Sequence, residues 1–126
     1  MKKLTIAVRI LLGLIFVASG IAFFLTTPPP LEGDMATFFA GMSATKYFFY
    51  LLKGTEIICG LFLLSGFFVP LALVILAPVV LNIFFVHAFL APEGIITAIV
   101  LGVMMIYLAF FSHYSVTIKQ LFKPKN

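Results

Sequence analysis

Five polar side chains lie inside apolar stretches of this sequence, and their chemistry suits a polar ligand: Ser19, Lys53, Glu56, Asn82 and His87. An ionisable group in hydrocarbon costs about 3 kcal/mol or more, so it marks function by default. Lys53 and Glu56 are three residues apart and share a helix face, where they can pair as opposite charges. Glu56 can exchange protons and His87 can relay them, while Ser19 and Asn82 offer hydrogen bonds.

The elements that carry these residues belong in a membrane. The chain has 126 residues, of which 63% are hydrophobic and only 10% charged, and its mean hydropathy is +1.26. Soluble domains average about 25% charged residues. A soluble domain of this size leaves much of its surface exposed and could not hide so much apolar area. We therefore expect one all-α domain over residues 1–126, an integral membrane bundle of four transmembrane helices.

Four apolar stretches are long enough to cross a bilayer, which takes about 20 helical residues. The first ends at the proline-rich segment 26–30. The uncharged run 57–86 is too long for one span, and Gly66 and Pro70 indicate a break. The predicted spans are residues 4–25, 47–67, 70–90 and 94–112.

A short amphipathic helix is predicted in the first outer loop, over residues 34–42. Asp34 is a good N-cap residue. The apolar residues that follow recur at the spacing of one helix face, namely Met35, Phe38, Phe39 and Met42. This helix would lie on the membrane surface, either as a lid over the bundle or as a plain interfacial anchor.

The charges predict the orientation. One side of the membrane carries Lys2, Lys3, Arg9, Lys119, Lys123 and Lys125, and the other carries Glu32, Asp34 and Glu93 with Lys46. The positive-inside rule then puts both termini in the cytoplasm, in a bacterial cytoplasmic membrane. Arg9 lies near the inner end of its span, where it can reach the phosphates and anchor the helix.

The polar residues converge in depth. Helix geometry puts Ser19 and Lys53 about 9 Å below the outer face, Asn82 and Glu56 about 12–13 Å, and His87 about 5 Å. Asn82 and His87 point about 140° apart unless Pro78 kinks the helix between them. Two interpretations stay open for the cluster: a ligand site, or polar contacts that hold helices together.

Several kinds of chemistry find no motif here. The single cysteine, Cys59, fits a packing role and excludes an intrachain disulfide. The histidines and carboxylates follow no metal-binding spacing, so we expect no metal. No haem ligand pair, iron–sulfur cysteines or nucleotide loop is visible, and we expect no built-in cofactor and no enzyme activity from the chain alone. The basic residues form no nucleic-acid patch.

The order of short motifs resembles the DoxX family. Residues 9–20 are similar to its R-x-x-LGLIF-x-x-SG opening. Residues 54–61 with Gly66 and 70–72 are similar to its stretch of Gly, Glu, Gly and Leu followed by Gly and PLA, with three residues between Glu56 and Gly60 in this chain. Residues 78–83 and 87–94 resemble the third helix of one bacterial branch. The resemblance implies a four-helix bundle in the bacterial membrane, with Arg9, Ser19, Gly20, Glu56 and Asn82 on motif positions. A related branch, DoxD, supplies the membrane subunit of a thiosulfate:quinone oxidoreductase, and other relatives help assemble redox enzymes.

Two functions therefore compete. The first is a quinone- or lipid-binding membrane subunit of a redox complex, whose electrons come from a partner protein. The second is an assembly factor for other membrane proteins, which needs no chemistry and uses glycine-lined faces such as that of Gly13 and Gly20. A homo-oligomer is compatible with both. A small-solute transporter is disfavoured, because no inverted repeat or broken helix is visible.

Overall fold

In a computed structural model, the chain is described over residues 2–26 and 30–124, and no strand occurs in those ranges. Six α-helices follow in order: α1 Lys2–Leu25, α2 Gly33–Ala44, α3 Phe48–Ser65, α4 Val69–Phe89, α5 Ile95–Ile106 and α6 Ser115–Gln120. A 3₁₀ turn, Pro92–Gly94, precedes α5, and a π-helical segment, Tyr107–Phe111, extends it. Part of the predicted helix stop at 26–30, and Lys125, lie outside the described residues.

Four of these helical segments are long and apolar enough to cross a membrane: Lys2–Leu25, Phe48–Ser65, Val69–Phe89 and Pro92–Phe111. The predicted all-α bundle of four transmembrane helices is confirmed. Less than a third of each span is buried inside the bundle, as expected for helices whose outer faces contact lipid. Burial is confined to one stripe on each helix.

Helices α1 and α3 approach most closely, because glycines face each other where they pack. A Cβ atom at Gly60 would lie 2.9 Å from the carbonyl oxygen of Gly13 and 2.7 Å from Cγ2 of Val17. A Cβ at Gly20 would collide with the Ile57 side chain and lie 3.1 Å from the Lys53 carbonyl oxygen. Small residues that let two backbones touch are the main means of helix association in lipid.

Apolar side chains fill the rest of the interior. Leu12 and Phe16 of α1, Leu63 of α3 and Leu76 of α4 are fully or almost fully buried. Leu108, from the π-helical segment, closes the same core from α5. The core therefore joins all four spanning segments.

The turn between α3 and α4 follows the predicted chemistry. Gly66 ends α3 in the left-handed conformation, with φ of 85°, and its N–H donates to the carbonyl of Phe62. Pro70 lies in the first turn of α4, where the missing N–H costs no helical bond. Helix α4 then continues without interruption through Pro78.

Helix α2 presents the predicted face to the bundle. Met35, Phe38, Phe39 and Met42 are half-buried along a helix that is otherwise mostly exposed. The prediction that Asp34 caps this helix is wrong, because Glu32 is the N-cap residue and makes no side-chain cap hydrogen bond. Asp34 lies in the first turn, where its negative charge still favours the N-terminal end of the helix dipole.

The bundle has two ends, which differ in the elements they carry. The terminal end holds the start of α1, the α3–α4 turn around Gly66 and helix α6. The loop end holds α2 and the 3₁₀ turn Pro92–Gly94. The number of residues between a side chain and the loop-end terminus of its helix, at 1.5 Å each, therefore gives the depth of that side chain below the loop end.

Replacing Gly60 with alanine is expected to destabilise the protein by about 1–3 kcal/mol, because α1 must move away to admit the methyl group. Gly54, on the same helix, has open space around its Cβ position. Gly54→Ala should therefore be neutral or stabilising by up to about 1 kcal/mol. Reversible unfolding in detergent measures both, and equal effects of the two substitutions would contradict the close approach of α1 and α3.

Candidate functional site

The one ion pair among the described residues joins Lys53 and Glu56 on α3. The Lys53 Nζ atom lies 3.4 Å from Oε2 of Glu56. Glu56 is 3% exposed, and the Lys53 side chain is about one-fifth exposed. Glu56 is the eighth residue after the start of α3 and therefore about 12 Å below the loop end. The sequence prediction that these two residues pair is confirmed.

Glu56 points into the bundle rather than towards lipid. It lies on the buried face of α3 with Phe49 and Leu63, each seven residues away, which is two helix turns. Lys53 lies on the flank that faces α1, where its backbone carbonyl approaches Gly20. The close packing of α1 against α3 therefore fixes the backbone that carries the pair.

Three aromatic rings stack about two helix turns closer to the loop end than Glu56. The Phe49 ring stacks on Phe23 of α1 and on Phe39 of α2, with ring centroids 5.3 Å apart in both cases. Phe49 is buried beneath these neighbours. Helix α2 thus contributes one ring of a three-ring stack on the loop-end side of the bundle, and its role as a lid or as an interfacial anchor stays a prediction.

Ser19 and Asn82 lie at a similar depth but on the outside of the bundle. Ser19 is six residues before the end of α1 and Asn82 seven before the end of α4, about 9–11 Å from the loop end. Both side chains are exposed, and neither makes a hydrogen bond within the described part of the chain. The structure does not bring them to Glu56, and their ligand role stays a prediction.

His87 belongs to the α4–α5 connection. Its Nδ1 donates to the carbonyl oxygen of Ile83, one turn back on the same helix, with a distance of 2.8 Å. Its ring packs on the backbone of Gly94, where a Cβ would lie 2.6 Å from Nε2. Since a carbonyl oxygen only accepts, Nδ1 carries the proton. The ring is held by local contacts and makes no hydrogen bond to Glu56.

Arg9 lies at the terminal end and turns inward. Its Nη1 donates to the Tyr114 hydroxyl at 3.3 Å, and the guanidinium covers Gly66, whose Cβ would lie 2.9 Å from Nη1. Its Nε atom is buried without a hydrogen-bond partner. Arg9 thus connects α1, the α3–α4 turn and the start of α6, and membrane anchoring by this residue stays a prediction.

A pocket of about 460 Å³ at the terminal end was not predicted from the sequence. It is lined by Lys2, Thr5, Tyr107, Phe111, Ser112 and His113. Two of these residues, Thr5 and Tyr107, join α1 to the π-helical segment through hydroxyls that lie 2.9 Å apart. The π-helical turn that holds Tyr107 is a distortion often found at functional sites. No local signal predicts this pocket, because its two sides are about 100 residues apart in the chain.

An apolar groove of about 640 Å³ runs between α4 and α5 and reaches α6. Small residues line its floor, including Ala77, Ala98, Gly102 and Ala109, and a Cβ at Gly102 would meet open space. Leu121 and Phe122 close the groove at the terminal end. The groove suits a hydrocarbon chain or a partner helix.

The Lys53–Glu56 ion pair can bind the polar groups of a ligand. In residues 2–26 and 30–124, no three His, Cys, Asp or Glu side chains come together as a metal-binding group. Lys53 can donate hydrogen bonds to a carbonyl, and the Glu56 carboxylate can accept one from a hydroxyl. Such a pair can hold the oxygen atoms of a small polar headgroup inside hydrocarbon.

Comparison with known proteins identifies a family. The sequence model of the family described as DoxX matches residues 4–88, about two thirds of the chain. This match covers nearly all of the first three spans and both members of the ion pair. No curated protein and no solved structure matches the chain.

Lys53→Met is expected to destabilise the protein by about 3 kcal/mol, because it leaves the Glu56 carboxylate buried without its cation. The double variant Lys53→Met/Glu56→Leu should recover part of that loss, since neither charge then remains. Lys119→Met, on exposed α6, is the control and should change stability by less than about 0.5 kcal/mol. A double variant that is no more stable than Lys53→Met in detergent unfolding would show that the pair is not coupled.

Proposed function

The chain belongs to the DoxX family and is a multi-pass membrane protein, and on this premise we propose that it binds a quinone-class ligand as the membrane subunit of a redox complex. The observation that carries the proposal is the Lys53–Glu56 pair, buried about 12 Å inside a span. A charge pair at that depth costs stability, and functional use explains why such a cost is tolerated.

The chemistry of the pair matches the two states of a quinone. The Lys53 ammonium donates a hydrogen bond to a quinone carbonyl, and the Glu56 carboxylate accepts one from the hydroxyl of the reduced form. The ring stack of Phe49, Phe23 and Phe39 lies about two helix turns closer to the loop end and offers apolar surface there. Electrons are supplied and removed by other chains of the complex.

A second candidate function, the assembly of other membrane proteins, is supported by the groove between α4 and α5. The glycine face of Gly13 and Gly20 no longer supports it, because α3 occupies that face. The groove instead has small residues and open space at Gly102, which would admit a partner helix. This function requires no ligand at Lys53 and Glu56.

The proposed orientation places both termini in the cytoplasm of a bacterial cell. The terminal end carries Lys2, Lys3, Arg9, Lys119 and Lys123, while the loop end carries Glu32, Asp34 and Glu93 with Lys46. Positive charge favours the cytoplasmic side. A fluorescent protein fused to the C-terminus should fold and fluoresce, and alkaline phosphatase activity at the same position would reverse the assignment.

Quinone that co-purifies with the protein in mild detergent tests the proposed function. The wild-type protein should retain quinone, and Glu56→Gln should lower the ratio of quinone to protein about tenfold or more, because a hydrogen bond to a charged group contributes about 1.5–3 kcal/mol. Solvent extraction and mass spectrometry measure the ratio.

Glu93→Gln is the matched control, because it makes the same substitution at an exposed carboxylate of the loop end. It should leave the quinone content unchanged. If wild type, Glu56→Gln and Glu93→Gln all carry only bulk phospholipid, the quinone proposal fails. Specific crosslinking of a partner helix to Gly102→Cys would then favour the assembly function.

A further inference from the structure

Asn82 is a polar side chain that faces lipid without a partner. It is exposed on α4, about 10 Å from the loop end of that helix, and makes no hydrogen bond within the described part of the chain. Its short side chain cannot reach the interface as the long chains of Lys and Arg do. An amide left unpaired in hydrocarbon costs several kcal/mol, so a partner outside the chain is required.

Asn82 lies in the middle of a regular stripe of exposed residues. Along α4 the stripe is Leu71, Ile75, Pro78, Asn82, Phe85 and Phe89, all of them exposed. The spacing alternates between four and three residues, which is the 3.5-residue repeat of two helices packed along a shared seam. At 100° per residue, the stripe lies about half a turn from the buried residues Leu76 and Val80.

We propose that this stripe is the interface of a homodimer, in which the α4 helices of two copies pack side by side and Asn82 pairs with Asn82 of the second copy. Every copy inserts in the same orientation, so the two α4 helices run parallel. A twofold axis along the membrane normal then brings identical residues together at the same depth.

The amide group of Asn82 explains why the partner on this stripe is a second copy of the chain. One carboxamide carries a carbonyl acceptor and an N–H donor, so two Asn82 side chains related by the twofold axis satisfy each other reciprocally. A single Asn at a central seam position also fixes the register of such pairs. The apolar residues on both sides of Asn82 supply the contact area, and the exposed ring of Phe89 ends the seam at the loop end.

The dimer seam leaves the other sites free. The groove between α4 and α5 is lined by Val74, Ala77 and Leu81, which lie on a different flank of α4. Glu56 and Lys53 lie on α3 inside the bundle. Dimerisation therefore does not depend on quinone binding, and either proposal can fail without the other.

Energy transfer between two fluorescent labels, fused to the C-termini of separate copies in liposomes, measures association against protein density. Wild type should dimerise, and Asn82→Leu should raise the dissociation constant about 5- to 30-fold, the effect of losing about 1–2 kcal/mol of hydrogen bonding. Asn82→Gln keeps the amide and should retain most of the association. Ser19→Leu, a similar change on the lipid face of α1, should have no effect.

Disulfide trapping locates the seam independently of the Asn82 variants. Cysteine at Phe89 should crosslink two copies under mild oxidation, whereas cysteine at Ile96, equally exposed at the loop end but on α5, should not. The native Cys59 is buried and should stay unreacted. Monomers at every density, unchanged association of Asn82→Leu, or crosslinking at Ile96 rather than Phe89 would overturn the proposal.

Discussion

The contact between the backbones of α1 and α3 is the constraint on which the rest of the bundle depends. In lipid there is no hydrophobic force between helices, so close packing has to hold them together. Gly13, Gly20 and Gly60 allow this because a methyl group at any of them would meet the facing helix. The approach fixes the rotation of α3, and that rotation turns Glu56 inward and leaves Lys53 on the α1 flank.

The energetic cost of this arrangement is concentrated in one carboxylate. A 3%-exposed Glu56 loses its hydration, and a single lysine 3.4 Å away only partly offsets that loss. An apolar residue would pack there at lower cost. The proposed contact with a polar ligand would account for a glutamate at this interior position, and the aromatic stack of Phe23, Phe49 and Phe39 lies closer to the loop end.

The number of helices and the depth of the polar side chains followed from the sequence, but the face of each helix that is buried did not. Apolar length, Gly66 and Pro70 predicted the spans, and the spacing of Lys53 and Glu56 predicted their ion pair. Counting residues along each helix gave the depth of Ser19 and Asn82 but could not show that both side chains face lipid. In a membrane helix nearly every face is apolar, so hydrophobic periodicity carries little information on which face is buried.

The terminal-end pocket illustrates a second limit of sequence reasoning. Thr5 and Tyr107 meet across 102 positions of chain, and no local pattern links them. The contacts of Arg9 with Tyr114 and Gly66 were not predictable from the sequence either, because they depend on how three elements meet. Local spacing predicts neighbours on one helix, whereas sites shared between helices require the packed structure.

Labelling of Glu56 by a hydrophobic carbodiimide tests most directly whether the buried pair is a ligand site. Glu32, Asp34 and Glu93 are exposed carboxylates of the same chain and serve as internal references. Peptide mass spectrometry on membranes should find Glu56 modified, with the reaction slowed by a short-chain quinone analogue while the reference carboxylates are unaffected. Labelling of Glu56 at the same rate with and without the quinone would contradict a quinone site at the Lys53–Glu56 pair.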